Sequence, residues 1–197
     1  LASSLGDVLD QGYFVEPPFH MKAGTQTPDE TPSMILQHIP GRNACAAVLG
    51  EPGSGKSTLL GKAFLNHAKK TLAEQTRTLP FFIPLRGRGG FSFDYQSYVN
   101  DCFCTSFQKT PYPLLTLESV QPTFYLDGFD EMSEDEPGSQ VIQFCQSTIQ
   151  NFPFVLTCRT RYANEYLNQT VLGNRLTALV ELDPWDSTTI SRDIDEF

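Results

Sequence analysis

Gly50-Glu51-Pro52-Gly53-Ser54-Gly55-Lys56-Ser57 fits the pattern G-x-x-x-x-G-K-S/T without a gap. The apolar run Ala44 to Leu49 precedes it directly. The stretch Ser57 to Lys70 follows directly and sets Leu59, Leu60, Ala63, Phe64 and Ala68 on one helical face. Strand, glycine loop and helix are therefore consecutive, which is the setting this loop needs in order to bind an anion. The glycines let the backbone curl until several N–H groups aim at one point, and the helix adds the positive end of its dipole. Lys56 is placed for the β- and γ-phosphates, the Ser57 hydroxyl for Mg²⁺, and Thr58 for the neighbourhood of the α-phosphate. A glycine-rich turn that binds nothing leaves this setting unexplained. The expected guest is a nucleoside triphosphate, ATP or GTP, with Mg²⁺.

Outward from the loop, short β-favouring runs alternate with helix-like stretches, as in crossover units on a parallel sheet. The candidate strands are Ala44 to Leu49, Leu79 to Leu85, Thr123 to Leu126, Phe152 to Thr157 and Leu176 to Leu182. Each is nearly continuously apolar, as expected of strands covered on both faces. Gln140 to Asn151 reads as a second crossover helix, with Val141, Ile142, Cys145 and Ile149 inward. The fold expected is a three-layer α/β/α P-loop NTPase with a mainly parallel, five-stranded sheet. Residues 1–31 are expected to be an extended segment and loop, 32–186 the core, and 187–197 the start of a further helix cut short.

Two strand ends carry further chemistry. Thr123-Phe-Tyr-Leu-Asp127 is an apolar run closed by a carboxylate, the arrangement that holds Mg²⁺ opposite a phosphate loop. Asp130 and Glu131 follow on the loop, where one carboxylate is placed to orient or deprotonate the water attacking the γ-phosphate. Glu134, Asp135 and Glu136 read as a solvated acidic loop. The run Phe152 to Thr157 leads into Cys158-Arg159-Thr160-Arg161. Arg159 thus stands at the sheet edge where ligands bind in open parallel sheets. There it either donates to the γ-phosphate, distinguishing ATP from ADP, or serves as an ordinary surface ion-pairing residue.

Composition narrows the partners. With 14 Lys+Arg against 23 Asp+Glu, the 197-residue chain has net charge -9, which opposes direct contact with nucleic acid or an anionic membrane. Its one short basic cluster is Arg86-Gly-Arg88. There is no apolar run of about 18 residues and no signal-peptide pattern at the N-terminus, so a soluble, cytoplasmic protein is expected. The five cysteines, at 45, 102, 104, 145 and 158, lack zinc-like spacing and read as reduced thiols. Asn168-Gln-Thr170 matches a glycosylation sequon that a cytoplasmic chain does not use.

The form Asp127-Gly-Phe-Asp130-Glu131 resembles the acidic motif of NACHT NTPases, members of the STAND class related to AAA+ ATPases. Thr157-Cys-Arg159 is similar to their sensor motif, Phe81-Phe-Ile-Pro-Leu85 to their second strand, and Leu182-Asp-Pro-Trp185 to the lead into their helical domain. The resemblance implies that the sensor strand lies between the phosphate-loop strand and the Asp127 strand. It implies Lys56 and Ser57 on phosphate and metal, Asp127 on Mg²⁺, Asp130 and Glu131 in hydrolysis, and Arg159 on the γ-phosphate. It also implies that Tyr13 to Pro17 flanks the base, and that helical and winged-helix domains continue the protein. In this family the module is an ATP/ADP switch controlling self-association in innate immunity, cell death or anti-phage defence. A P-loop small-molecule kinase and a non-hydrolysing nucleotide-binding scaffold are the alternatives.

Overall fold

The computed structural model describes residues 15–23, 30–39, 44–74, 76, 78–86, 121–131, 152–165 and 175–185. Among these the elements are β1 (Phe19–Ala23), α1 (Pro32–Gln37), β2 (Cys45–Leu49), α2 (Lys56–Glu74), β3 (Thr78–Pro84), β4 (Gln121–Asp127), a 3₁₀ turn (Phe129–Glu131), β5 (Phe154–Cys158), α3 (Thr160–Glu165) and β6 (Leu176–Leu182). The strands form one sheet in the order β1-β6-β2-β5-β4-β3. The pairs β6-β2, β2-β5, β5-β4 and β4-β3 are parallel, and β1 runs antiparallel to β6.

The expected strands are all present within one or two residues, and α2 runs four residues past the expected Lys70, to Glu74. The sheet has six strands among the described residues, correcting the expected five. The addition, β1, lies in the stretch expected to precede the core. It escapes a search for apolar runs because it is an edge strand with His20 and Lys22 in its middle. Those side chains hold it in place. Glu181 on β6 pairs with Lys22 at 2.5 Å and His20 Nε2 at 3.2 Å, and His20 Nδ1 lies 2.8 Å from Asp183. The expected helix at 140–151, the acidic residues at 134–136, Cys102, Cys104, Cys145, the sequon and residues 187–197 lie outside the described residues.

Alternation of side chains along the strands divides the core in two. Ala46, Val48, Tyr125, Val155 and Val180 face Ile35, Leu36, Leu59, Leu60 and Ala63 of α1 and α2. Cys45, Ala47, Leu49, Phe124, Leu126, Phe154, Leu156 and Cys158 fill the opposite face with Phe129 and Ala163 of α3. Continuously apolar strands thus reflect burial on both sides. Each fully buried leucine or phenylalanine contributes about 1.5–3 kcal/mol relative to exposure. Cys45 and Cys158 are buried and unbridged. Among the described residues no helix is long and apolar enough to cross a membrane.

α1 begins with Thr31, whose side chain accepts the Met34 N–H, and with Pro32 in the first turn. Glu16 ties the incoming segment to this helix by accepting the Ser33 hydroxyl and its N–H, and it lies 3.7 Å from Lys62 of α2. One polar pair sits deeper: His67 Nδ1 is 3.1 Å from the Tyr125 hydroxyl and Nε2 is 3.3 Å from Thr78 Oγ1. Burial, reinforced by Lys70, holds the His67 pKa below its ordinary value of 6.5, so protonation favours the unfolded chain. The stabilising contribution is therefore full above pH 6.5 and is lost as the pH falls through the lowered value. Urea midpoints measured between pH 7.5 and 5 are expected to fall for the parent chain and to fall less for His67→Gln.

Candidate functional site

The expected phosphate-loop, acidic and sensor residues are all among the described residues, at the C-terminal edge of the parallel strands, whereas Tyr13 and Phe14 of the segment expected to flank the base lie outside them. β2 ends at Leu49 and the chain turns at once. Gly50 packs so tightly that a Cβ there would meet Ser54 Oγ at 2.7 Å and Leu182 Cβ at 3.3 Å, so the loop begins wedged against the end of β6. Gly53 and Gly55 take φ of +84° and +91°, left-handed values that side chains resist, and a Cβ at either would meet nothing within 4 Å. The backbone at these two glycines therefore has open space where a side chain would stand.

Ser54 N donates to Glu51 O at 3.2 Å, closing the turn, and Leu59 N donates to Gly55 O at 2.9 Å, opening α2. Glu51 and Pro52 are exposed, Thr58 is half-buried, and Ser54 Oγ is buried with no hydrogen-bond partner among the described residues. Lys56 Nζ donates to Gly50 O and Glu51 O, both at 2.8 Å, and so lies across the loop. Burial pushes its pKa below the usual lysine range and Arg159 adds to this, while Asp130 and Glu51 pull the other way. A partly desolvated ammonium is a strong point charge for an anion.

β5 separates the loop strand from the acidic strand, as the resemblance implied. Across it, Ser57 Oγ donates to Asp127 Oδ1 at 2.9 Å, joining α2 to the end of β4. The same oxygen accepts from Thr157 Oγ1 at 2.8 Å, and Thr157 Oγ1 accepts from Gly128 N at 2.8 Å. The 3₁₀ turn that follows is anchored by Phe129, which is fully buried and edge-on to Tyr162. No group of three or more His, Cys, Asp or Glu side chains suited to a metal gathers among the described residues. Ser57 and Asp127 are hard oxygen donors, few in number. That suits Mg²⁺, which keeps several waters and takes its remaining ligands from phosphate.

Asp130 and Arg159 form a latch between neighbouring strand ends. The Arg159 N–H donates to Asp130 Oδ1 at 3.0 Å, and Arg159 Nε lies 2.8 Å from Asp130 Oδ2. The carboxylate side chain is 6% exposed and the guanidinium side chain 53%. Both oxygens of Asp130 are thus engaged by Arg159. Glu131 turns outward, with Oε2 3.5 Å from Arg86 Nε at the end of β3. Burial, and Asp130 after it, raises the Cys158 thiol far above the ordinary range, so it is neutral.

Sequence reasoning missed Thr157 as a partner of Asp127. It also missed the link from Thr160 Oγ1 to Glu181 Oε1 at 2.6 Å, which ties the residue after Arg159 to the β1–β6 charge cluster. A threonine in an otherwise apolar strand was the available signal. Its partner depends on strand order.

The NACHT domain profile matches residues 45–193. A comparison with curated proteins finds no significant match. Among solved structures, the Aeropyrum pernix ORC1 protein in complex with DNA superposes with TM-score 0.60 at 11% identity, covering 84% of this chain and 47% of that chain. The Aeropyrum pernix ORC2 protein, in ADPNP-ADP complexes, superposes with TM-score 0.51 at 11% identity, covering 96% of this chain and 54% of that one. The chain spans about half the length of these structures. At such identity they show the fold alone.

The latch makes an energetic prediction. In a double-mutant cycle of Asp130→Ala and Arg159→Ala, urea unfolding is expected to give a coupling energy of about 1 kcal/mol. Additive effects would show that the pair contributes nothing.

Proposed function

Since the chain belongs to the NACHT domain family and carries a nucleotide-binding P-loop NTPase module, we propose that it is the ATP-binding and ATP-hydrolysing switch of a signal-transduction or defence protein. The observation that supports this most directly is the 2.9 Å bond from Ser57 to Asp127, which joins the residue after the loop lysine to the carboxylate that closes β4. In this reading the backbone from Gly50 to Thr58 wraps the phosphates, Lys56 moves from the loop carbonyls onto the β- and γ-oxygens, and Ser57 and Asp127 hold Mg²⁺. Bound Mg²⁺ supplies neutralisation of charge on the phosphates. Glu131 accepts a proton from the attacking water, whose oxygen forms the new bond to γ-phosphorus as the bond to the β-bridging oxygen breaks and ADP leaves. Arg159, half-exposed and aimed by Asp130, donates to the γ-phosphate. Asp130 acts through Arg159, so it is a positioning residue.

A switch requires two states that bind ATP and ADP differently. Arg159 is suited to sense the difference because the γ-phosphate offers it an acceptor that ADP lacks. The strand-end cluster carries a change at Arg159 through Thr160 to Glu181 and β1. Residues 32–186 then form the NTPase core, with residues 187–197 leading into a helical domain and a winged-helix domain beyond, and the ATP state exposing a surface for self-association. Net charge -9 favours a protein partner over nucleic acid or an anionic membrane.

Calorimetry is expected to show ATP binding by the parent chain and none by Lys56→Ala. Glu131→Gln is expected to bind ATP normally and to hydrolyse it about 10²–10⁴-fold more slowly. Tight ATP binding by Lys56→Ala would overturn the loop assignment. Strict preference for GTP would overturn the ATP assignment, and stoichiometric phosphate transfer to a metabolite would overturn the hydrolase assignment.

A further inference from the structure

Thr157 stands in the last turn of the pleat before β5 ends, and its side chain belongs to the core: the residue is 1% exposed. Burying a hydroxyl is unfavourable unless it is hydrogen-bonded, and a valine of the same shape would pack there without that cost. The hydroxyl is fully used. It accepts from Gly128 N at 2.8 Å, which leaves its single proton to be donated to Asp127 Oδ1, also at 2.8 Å. Asp127 Oδ1 accepts from Ser57 Oγ as well, at 2.9 Å. One carboxylate oxygen is therefore pinned from both sides, by α2 and by β5, and rotation of the carboxylate breaks both bonds. Ser57 is itself a prospective metal donor. Thr157 gives its only hydroxyl proton to Asp127.

We propose that Thr157 is the positioning residue for Asp127, holding its carboxylate in the orientation that binds Mg²⁺ and so setting how strongly Mg²⁺ strengthens nucleotide binding. The inference rests on the reading of Asp127 as a metal ligand. Carboxylates that hold metals are themselves held by hydrogen bonds, and loss of such a partner weakens metal affinity by about 10–100-fold. Strand geometry supplies the reason for a threonine at this position. β5 pairs with β4 in parallel, with Leu156 opposite Leu126, so the next residue on each strand is Thr157 beside Asp127. Two residues further along β5's exit, Arg159 meets Asp130. The end of β5 thus meets both acidic residues, Asp127 through Thr157 and Asp130 through Arg159.

The test is a Mg²⁺ titration of the affinity of the full chain for a fluorescent ATP analogue, with a second measurement in EDTA. Thr157→Val is expected to raise the half-effective Mg²⁺ concentration about 10–100-fold and to leave the EDTA affinity unchanged, whereas Thr157→Ser, which keeps the hydroxyl, is expected to match the parent. A parent-like Mg²⁺ response in Thr157→Val overturns the proposal, as does equal loss in the valine and serine variants, which would assign the role to packing. Thermal melting checks folding, and if the valine variant fails to fold the same titration is made with Thr157→Ala. Asp127→Asn separates the two layers of the argument. If it leaves the Mg²⁺ response intact, Asp127 is not the metal ligand and both readings fall; if it removes the response while Thr157→Val does not, only the positioning role falls.

Discussion

β5 is hydrogen-bonded on both sides, to β2 at Cys45 through Leu49 and to β4 at Phe124 through Leu126, and everything at the site depends on that insertion. Strands in a sheet stand about 4.8 Å apart, so one intervening strand sets the phosphate loop and the acidic strand end about 10 Å from each other. Side chains alone do not span that gap from the strands themselves. It is closed because α2 starts immediately after the loop and brings Ser57 over the top of β5 to meet Asp127. If β5 were at the sheet edge instead, loop and carboxylate would be neighbours and crowd the space a phosphate and metal need. The middle strand also presents its own end to the site, so Thr157 and Arg159 are positioned by the same pairing.

The charges of the site are arranged so that each is balanced locally. Lys56 is partly desolvated and close enough to Asp130 and Arg159 for both to act on it. Asp130 in turn is committed to Arg159 by two contacts. Lys56, Asp130 and Arg159 together carry one positive charge in excess, and the buried aspartate fixes the direction of the arginine. Removing the aspartate would leave two like charges close together with nothing to orient them.

Most of this was legible in the sequence because it depends on contiguous patterns. The phosphate loop, its helix and the carboxylate closing β4 are local, and burial on both faces wrote β2, β4 and β5 as nearly continuous apolar runs. The remainder is non-local or is carried by polar residues. Which carboxylate Arg159 would meet depends on strand order, and so does the role of Thr157, which looks like a neutral interruption of an apolar run. β1 shows the same point from the other side. His20 and Lys22 make it resemble a loop, yet their partners, Glu181 and Asp183, stand 159 or more residues later in the chain, beyond the reach of any local pattern.

That charge cluster also ties the end of β6 to its neighbours. Glu181 is partly buried, which raises its pKa, but the bonds from Lys22 and Thr160 and the charge of His20 outweigh this and hold the carboxyl below its usual range. It is therefore ionised and gathers three donors from two elements. The next residue, Leu182, is the one against which Gly50 is wedged. The end of β6 thus touches the phosphate loop on one side, the residue after Arg159 on another and the edge strand on a third. The oxygen that Thr160 uses and the oxygen that Lys22 and His20 use belong to one rigid carboxylate, so the first turn of α3 and the edge strand share a single anchor.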